Sequence, residues 1–195
     1  FATIDPIFQT EELIIHYKNE WKPTMIRMPL ITLRWWFVDA ETRETYLKAT
    51  DAMVEWCRQN KIYVLFDGWH EGGTGDTITE LPDCKAAWHV LMERYKDEDH
   101  VIWEVFNEPH GIDWEAWVPH AEDLVDIVRS YDPVVQAVVV CGTDWAQDAY
   151  VKSLPVARDR IAYGWHPYPH VYNAQWDEVT WDVNFGYIKK QGYAP

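Results

Sequence analysis

The feature of this sequence with the most chemical content is a carboxylate at the end of a buried apolar run. Trp103-Glu104-Val105-Phe106-Asn107-Glu108-Pro109 runs mostly apolar and then ends in an amide, an acid and a proline. Cleaving a glycosidic bond needs one carboxylic acid to protonate the leaving oxygen and a second carboxylate to attack carbon or activate water. The acid must hold its proton near neutral pH, which asks for partial desolvation. A strand-end Glu108 among tryptophans meets that demand, and Asn107 beside it is placed to hydrogen-bond a sugar hydroxyl. Taken alone, the segment equally suits a glutamate that satisfies backbone donors at a β–α turn, because a lone motif is only a hypothesis.

Other polar residues fall at the C-terminal edges of other apolar runs. His70 follows Ile62-Tyr63-Val64-Leu65-Phe66, Trp145 follows the run 134–140, and His166 and Tyr168 follow Ile161-Ala162-Tyr163-Gly164-Trp165. The chain holds 13 tryptophans, and several lie in Gly- and Pro-punctuated segments, Trp69 and Trp145 among them. Indole stacks on the apolar C–H face of a pyranose ring, although tryptophan also serves as core. His166 and His170 are four apart, but Pro167 and Pro169 prevent the helix that would pair them on a metal. His70-Glu71 lacks a second histidine at zinc spacing, so no metal and no organic cofactor is expected. His16, His89 and His120 read as surface residues. Cys57, Cys84 and Cys141 are odd in number and contain no CxxC pair, so they read as small buried residues rather than a disulfide framework.

The elements that must position these residues alternate strictly. Short apolar runs at 25–30, 62–66, 101–106, 134–140 and 161–165 have the near-continuous hydrophobicity of parallel strands buried on both faces. Between them lie helical stripes. Leu47, Val54 and Cys57 mark the first. Cys84, Ala87, Trp88, Leu91, Met92 and Tyr95 make a full one, and Trp117, Ala121, Leu124, Val125 and Val128 another. Pro119 is expected near the start of that last helix, where a first-turn proline is tolerated. A final helix is expected over Asp177 to Lys190. This βα alternation predicts an α/β fold with a parallel sheet. No GxGxxG follows the first strand, and Gly72-Gly73-Thr74-Gly75-Asp76 lacks the lysine of a phosphate loop.

Composition narrows the partners. Of the 195 residues, 48% are apolar and 25% charged, an ordinary globular balance for a single domain. The formal net charge of −15 repels phosphate backbones and anionic membrane surfaces, which sets nucleic acid and membrane aside. A neutral polysaccharide meets no such repulsion. No leader with a basic start and an apolar middle opens the sequence.

These motifs together resemble glycoside hydrolase family 5, the cellulase-type enzymes of clan A. Asn107-Glu108-Pro109 resembles the family's strand-four signature, whose glutamate is the acid/base. Ile26-Arg27-Met28-Pro29 resembles the strand that carries the arginine holding the nucleophile's carboxylate. His70, in Asp67-Gly68-Trp69-His70, is similar to the strand-three histidine. His166-Pro167-Tyr168 is similar to the strand-six pair that lines the cleavage subsite, and Gly142-Thr143-Asp144-Trp145 to the loop after strand five. The resemblance runs from about Asp5 to the end and implies a (β/α)₈ TIM barrel, with this chain carrying about its second to sixth units. It implies an endo-β-1,4-glucanase first, and a β-mannanase or another clan A hydrolase second. A carbohydrate-binding barrel relic is the reading from outside enzymology. The implied mechanism is retaining, with Glu108, Asn107, Arg27, His166 and Tyr168 in the catalytic centre and His70, Trp145 and Trp69 on the substrate. The family's nucleophile is a strand-seven glutamate, expected on further chain or on a partner that completes the barrel. Asp67 is the least unsuitable local substitute, though the missing strand is the simpler explanation, and Glu104 is expected to pair with Arg27 or another cation. An extracellular location follows from the resemblance, because insoluble glucans do not enter cells.

Overall fold

The structure is a computed structural model that describes residues 15–29, 39–68, 78–131, 137–147 and 155–166, together with 186, 190 and 192. Five strands are present among them: β1 Met25–Pro29, β2 Tyr63–Asp67, β3 Val101–Glu104, β4 Val138–Cys141 and β5 Ile161–Gly164. Three long helices connect the first four: α1 Ala40–Asn60, α2 Leu81–Tyr95 and α3 Trp114–Tyr131. The strands form one sheet in the order β1-β2-β3-β4-β5, every pair parallel. A doubly wound sheet reverses its strand order at a switch point. Here each strand lies beside its predecessor with no reversal, which is the winding of a barrel wall. Trp69, His70 and Tyr168, the phosphate-loop-like segment 72–76 and nearly all of the expected helix 177–190 lie outside the described residues. No described helix is long and apolar enough to cross a membrane.

Each helix forms for a legible reason. Asp39 caps α1 in extended conformation and accepts from the Thr42 amide at 2.7 Å, satisfying one orphan donor of the first turn. The helix ends at Lys61, whose φ of 57° is left-handed and whose amide returns to the Arg58 and Cys57 carbonyls. All six stripe residues of α2 are buried, as are the five named in α3. Pro119 sits in the second turn of α3, not the first, on its exposed side. Its missing amide therefore costs the helix a bond that a proline at the first helical position would not have cost.

The core lies between the sheet and these helices. Val64, Phe66, Val101, Trp103, Val138, Val140 and Tyr163 point into it, all buried. Phe66 meets Trp103 edge-on at 5.4 Å, and Trp88 of α2 meets Trp103 the same way at 5.6 Å. The Trp88 indole donates to the Val105 carbonyl at 2.8 Å, so its polar atom is satisfied inside the core. Gly68 must be glycine here. A Cβ would lie 2.7 Å from the Trp88 ring and 2.7 Å from the Val105 carbonyl. The opposite sheet face differs from the expectation of burial on both sides. Leu65, Ile102, Val139 and Ala162 are half-buried there, and the deeply buried residues on that face are polar.

Candidate active site

Strand parity and register bring the polar residues together. Alternate residues of a strand share a face. Asp67 pairs in register with Glu104, Glu104 with Val139, and Cys141 with Gly164. The inner face therefore presents Asp67, Glu104 and Cys141 at the C-terminal ends of three adjacent strands, with Arg27 on the same face from the middle of β1. Asp67 and Glu104 are almost wholly buried.

Arg27 holds this group. Its Nε donates to Glu104 Oε2 at 2.7 Å and its Nη2 to Glu104 Oε1 at 2.6 Å, a two-armed fork. The same Nη2 donates to Asn107 Oδ1 at 2.7 Å and lies 3.0 Å from Asp67 Oδ2. Burial disfavours the charged guanidinium. The bonds to Glu104 and the charges of Asp67 and Glu104 outweigh it and hold the Arg27 pKa above its ordinary range. The expected pairing of Glu104 with Arg27 is what the structure shows. Asp67, the least unsuitable local stand-in for a nucleophile, is buried and pairs with the same arginine.

Glu108 stands four residues beyond Glu104, past the buried Val105 and Phe106. Its Oε1 lies 2.8 Å from His166 Nδ1, and the Glu108 side chain is 15% exposed. The other ring nitrogen, His166 Nε2, lies 3.6 Å from Glu104 Oε1. One imidazole thus stands between two carboxylates. The backbone of His166 is fixed by the turn Thr143–Ala146, which follows β4. His166 N–H donates to the Ala146 carbonyl at 2.9 Å, and the Gln147 side chain donates to the His166 carbonyl.

Two participants had no clear signal in the sequence. Cys141 reads as one more apolar residue in the run of β4. In the structure its Sγ donates to Glu104 Oε1 at 3.2 Å and lies 3.9 Å from His166 Nε2. Burial, then the neighbouring charges of Glu104 and Asp67, raise its thiol pKa well above the usual range. His110 stacks flat on Trp145, ring centres 4.7 Å apart and planes 9° from parallel, and its Nδ1 lies 3.1 Å from the Glu108 carbonyl oxygen. Trp145 remains 45% exposed. An exposed indole backed by a second ring is a fixed flat surface beside Glu108. The structure therefore gathers Arg27, Asn107, Glu108, His166 and Trp145 at one sheet edge. A cavity of about 800 Å³ lies between the start of α3 and the turn after β4, lined by Asp113, Trp114, Glu115, Thr143 and Asp144 among others.

A strand-end glutamate held by histidine, beside an arginine-bound asparagine, agrees with what the whole chain matches. The model of the family described as cellulase (glycosyl hydrolase family 5) matches residues 3–195. The chain belongs to glycosyl hydrolase family 5. Endoglucanase A of Butyrivibrio fibrisolvens is 28% identical over 169 residues, 84% of this chain and 38% of that protein. A β-glucanase from Saccharophagus degradans superposes with a TM-score of 0.80 at 25% identity, covering 95% of this chain and 60% of that one. The same β-glucanase in complex with cellotetraose gives 0.79 at 25% identity, over 93% of this chain and 59% of that one. The chain thus spans between 38% and 60% of the length of these relatives. Its five sequentially ordered parallel strands are a portion of the family's (β/α)₈ barrel.

Proposed function

We propose that the protein hydrolyses β-1,4-linked glucan within the chain, by a retaining double displacement in which Glu108 is the acid/base. The observation that carries this is the Glu108 carboxylate at the C-terminal sheet edge, nearly buried and 2.8 Å from His166 Nδ1. Relatives named endoglucanase, and a β-glucanase that binds cellotetraose, support glucan ahead of mannan.

Glu108 gives its proton to the glycosidic oxygen as the bond to the anomeric carbon breaks. A strand-seven glutamate, outside this sequence, attacks that carbon to form a glycosyl ester. Glu108, now ionised, takes a proton from water, and the water oxygen displaces the ester with net retention. The two other buried carboxylates of the site, Asp67 and Glu104, are both held by Arg27, which supports a nucleophile elsewhere on the barrel. In this reading Arg27 and Asn107 set the electrostatics and orientation of the cleavage site. His70, His166 and Tyr168 orient sugar and carboxylates, and Trp145 and Trp69 stack sugar rings. In this reading the protein acts outside the cell, because insoluble glucan does not enter cells.

The test is reducing-end release from a soluble β-1,4-glucan by the intact protein, with β-1,4-mannan in parallel. Glu108→Gln keeps the shape and removes the exchangeable proton, so turnover is expected to fall by about 10²–10⁴-fold. Near-normal turnover in that variant overturns the assignment of Glu108. A preference for mannan overturns the substrate.

A further inference from the structure

The inner face carries a second constellation, which shares His166 with the site above and adds Cys141, a thiol that the proposed hydrolysis does not use. Cys141 Sγ, Glu104 Oε1 and His166 Nε2 form a triangle with edges of 3.2, 3.6 and 3.9 Å. Three such atoms on one tetrahedral zinc ion would stand about 3.4–3.6 Å apart, given ordinary Zn–S, Zn–N and Zn–O bond lengths. The triangle is within a few tenths of an ångström of that face, and its ligands come from three different strands or strand ends.

We propose that Cys141, His166 and Glu104 form a binding site for a zinc-class divalent cation. The groups around the triangle are those that support a metal. A ligating histidine usually donates its other ring N–H to a carboxylate, and a ligating carboxylate is itself hydrogen-bonded. His166 has Glu108 at 2.8 Å on its other nitrogen, and Glu104 is forked by Arg27 at 2.7 and 2.6 Å. Glu104 Oε1 has two lone pairs, one directed at Arg27 and the other accepting the Cys141 thiol. A cation at the triangle replaces that thiol proton, which leaves to solvent as the metal–sulfur bond forms. The local charge favours the exchange. Asp67 and Glu104 both flank the Arg27 guanidinium, and Glu108 adds a third carboxylate on the far nitrogen of His166.

Zinc alone is titrated into the intact protein by calorimetry, and cadmium serves as the optical probe through its thiolate charge-transfer absorption. One equivalent with a thiolate band is expected. Cys141→Ser should abolish the band and weaken zinc at least tenfold, while Cys84→Ser keeps both. His166→Gln retains the thiol and should keep a band with zinc at least tenfold weaker, which covers the case of a Cys141 variant that fails to fold. Absence of a band in the parent protein, or tight binding unchanged in both Cys141→Ser and His166→Gln, overturns the site.

Discussion

Two arginines organise this molecule, and they do different work with the same side chain. Arg94 lies on the outside, between α1 and α2. It donates to Asp51 at 2.8 and 2.5 Å and to Glu44 at 3.3 Å, and Tyr95 adds a hydroxyl bond to Asp51 at 2.8 Å. Arg27 lies at the sheet edge and holds Glu104, Asp67 and Asn107. Both guanidiniums are held above their ordinary pKa by their carboxylates. The partners differ in solvent. Asp51 and Glu44 are 41% and 48% exposed, whereas Asp67 and Glu104 are 0% and 2% exposed. Exposed pairs are screened and worth little, while a buried carboxylate that loses its cation has nowhere to place its charge. The outer cluster therefore staples two helices. The inner one commits the fold to charge at a place where charge can do chemistry.

Removing each arginine tests that contrast. Arg27→Met leaves two buried carboxylates without their cation and should destabilise by about 3–5 kcal/mol in urea unfolding. Turnover should fall with it, because Asn107 loses the same anchor. A loss below about 1 kcal/mol would mean that the two clusters are energetically alike. Gly68→Ala spares both arginines but drives a methyl into the Trp88 ring and the Val105 carbonyl, next to Asp67. It is expected to cost about 1–3 kcal/mol by overpacking, and a neutral result would show that the β2 end can move without harm. Arg94→Met should cost the least, about 1 kcal/mol at neutral pH. That cost should depend on pH. Burial tends to raise the Asp51 pKa, but bonds from Arg94 and Tyr95 outweigh it and hold it below the usual carboxylate value of 3.8. A carboxylate depressed in the folded state contributes stability above its unfolded pKa and loses it as pH falls through the folded one. The gap between parent and Arg94→Met, followed by thermal unfolding from pH 7 downward, should therefore hold steady until about pH 4 and then close. A gap that widens in acid would sink the assignment.

The same contrast explains what could be read from the sequence. The strands and helices were legible because parallel strands write continuous apolar runs and helices write stripes. The strand order was not, since spacing does not distinguish a barrel wall from a doubly wound sheet; pairing does. Arg27 with Glu104 could be anticipated, as a buried acid calls for a cation. Cys141 could not, because a cysteine in an apolar run looks like packing until the register sets it beside Glu104. The metal triangle was hidden for the same reason. Spacing rules for ligands work along one helix or loop, and these three residues are drawn from β3, β4 and the end of β5. His110 was missed because ring stacking between two loops leaves no trace in sequence spacing. Pro119 falls a turn later than its stripe suggests, because the helix already starts at Trp114, after Asp113, whose carbonyl accepts from the Trp117 amide.

The turn after β4 has a further consequence. Asp144, Trp145 and Ala146 all hold left-handed backbone, with φ of 54°, 57° and 57°. For residues with a Cβ this costs about 1–2 kcal/mol each, and the bonds from His166 and Gln147 help to hold the turn in that shape. A glycine at 144 or 146 would relieve part of the cost and is expected to make the protein harder to unfold. It would also let Trp145 and the His166 backbone wander. Selection for thermal endurance and selection for a fixed Trp145 ring would then pull this one turn in opposite directions.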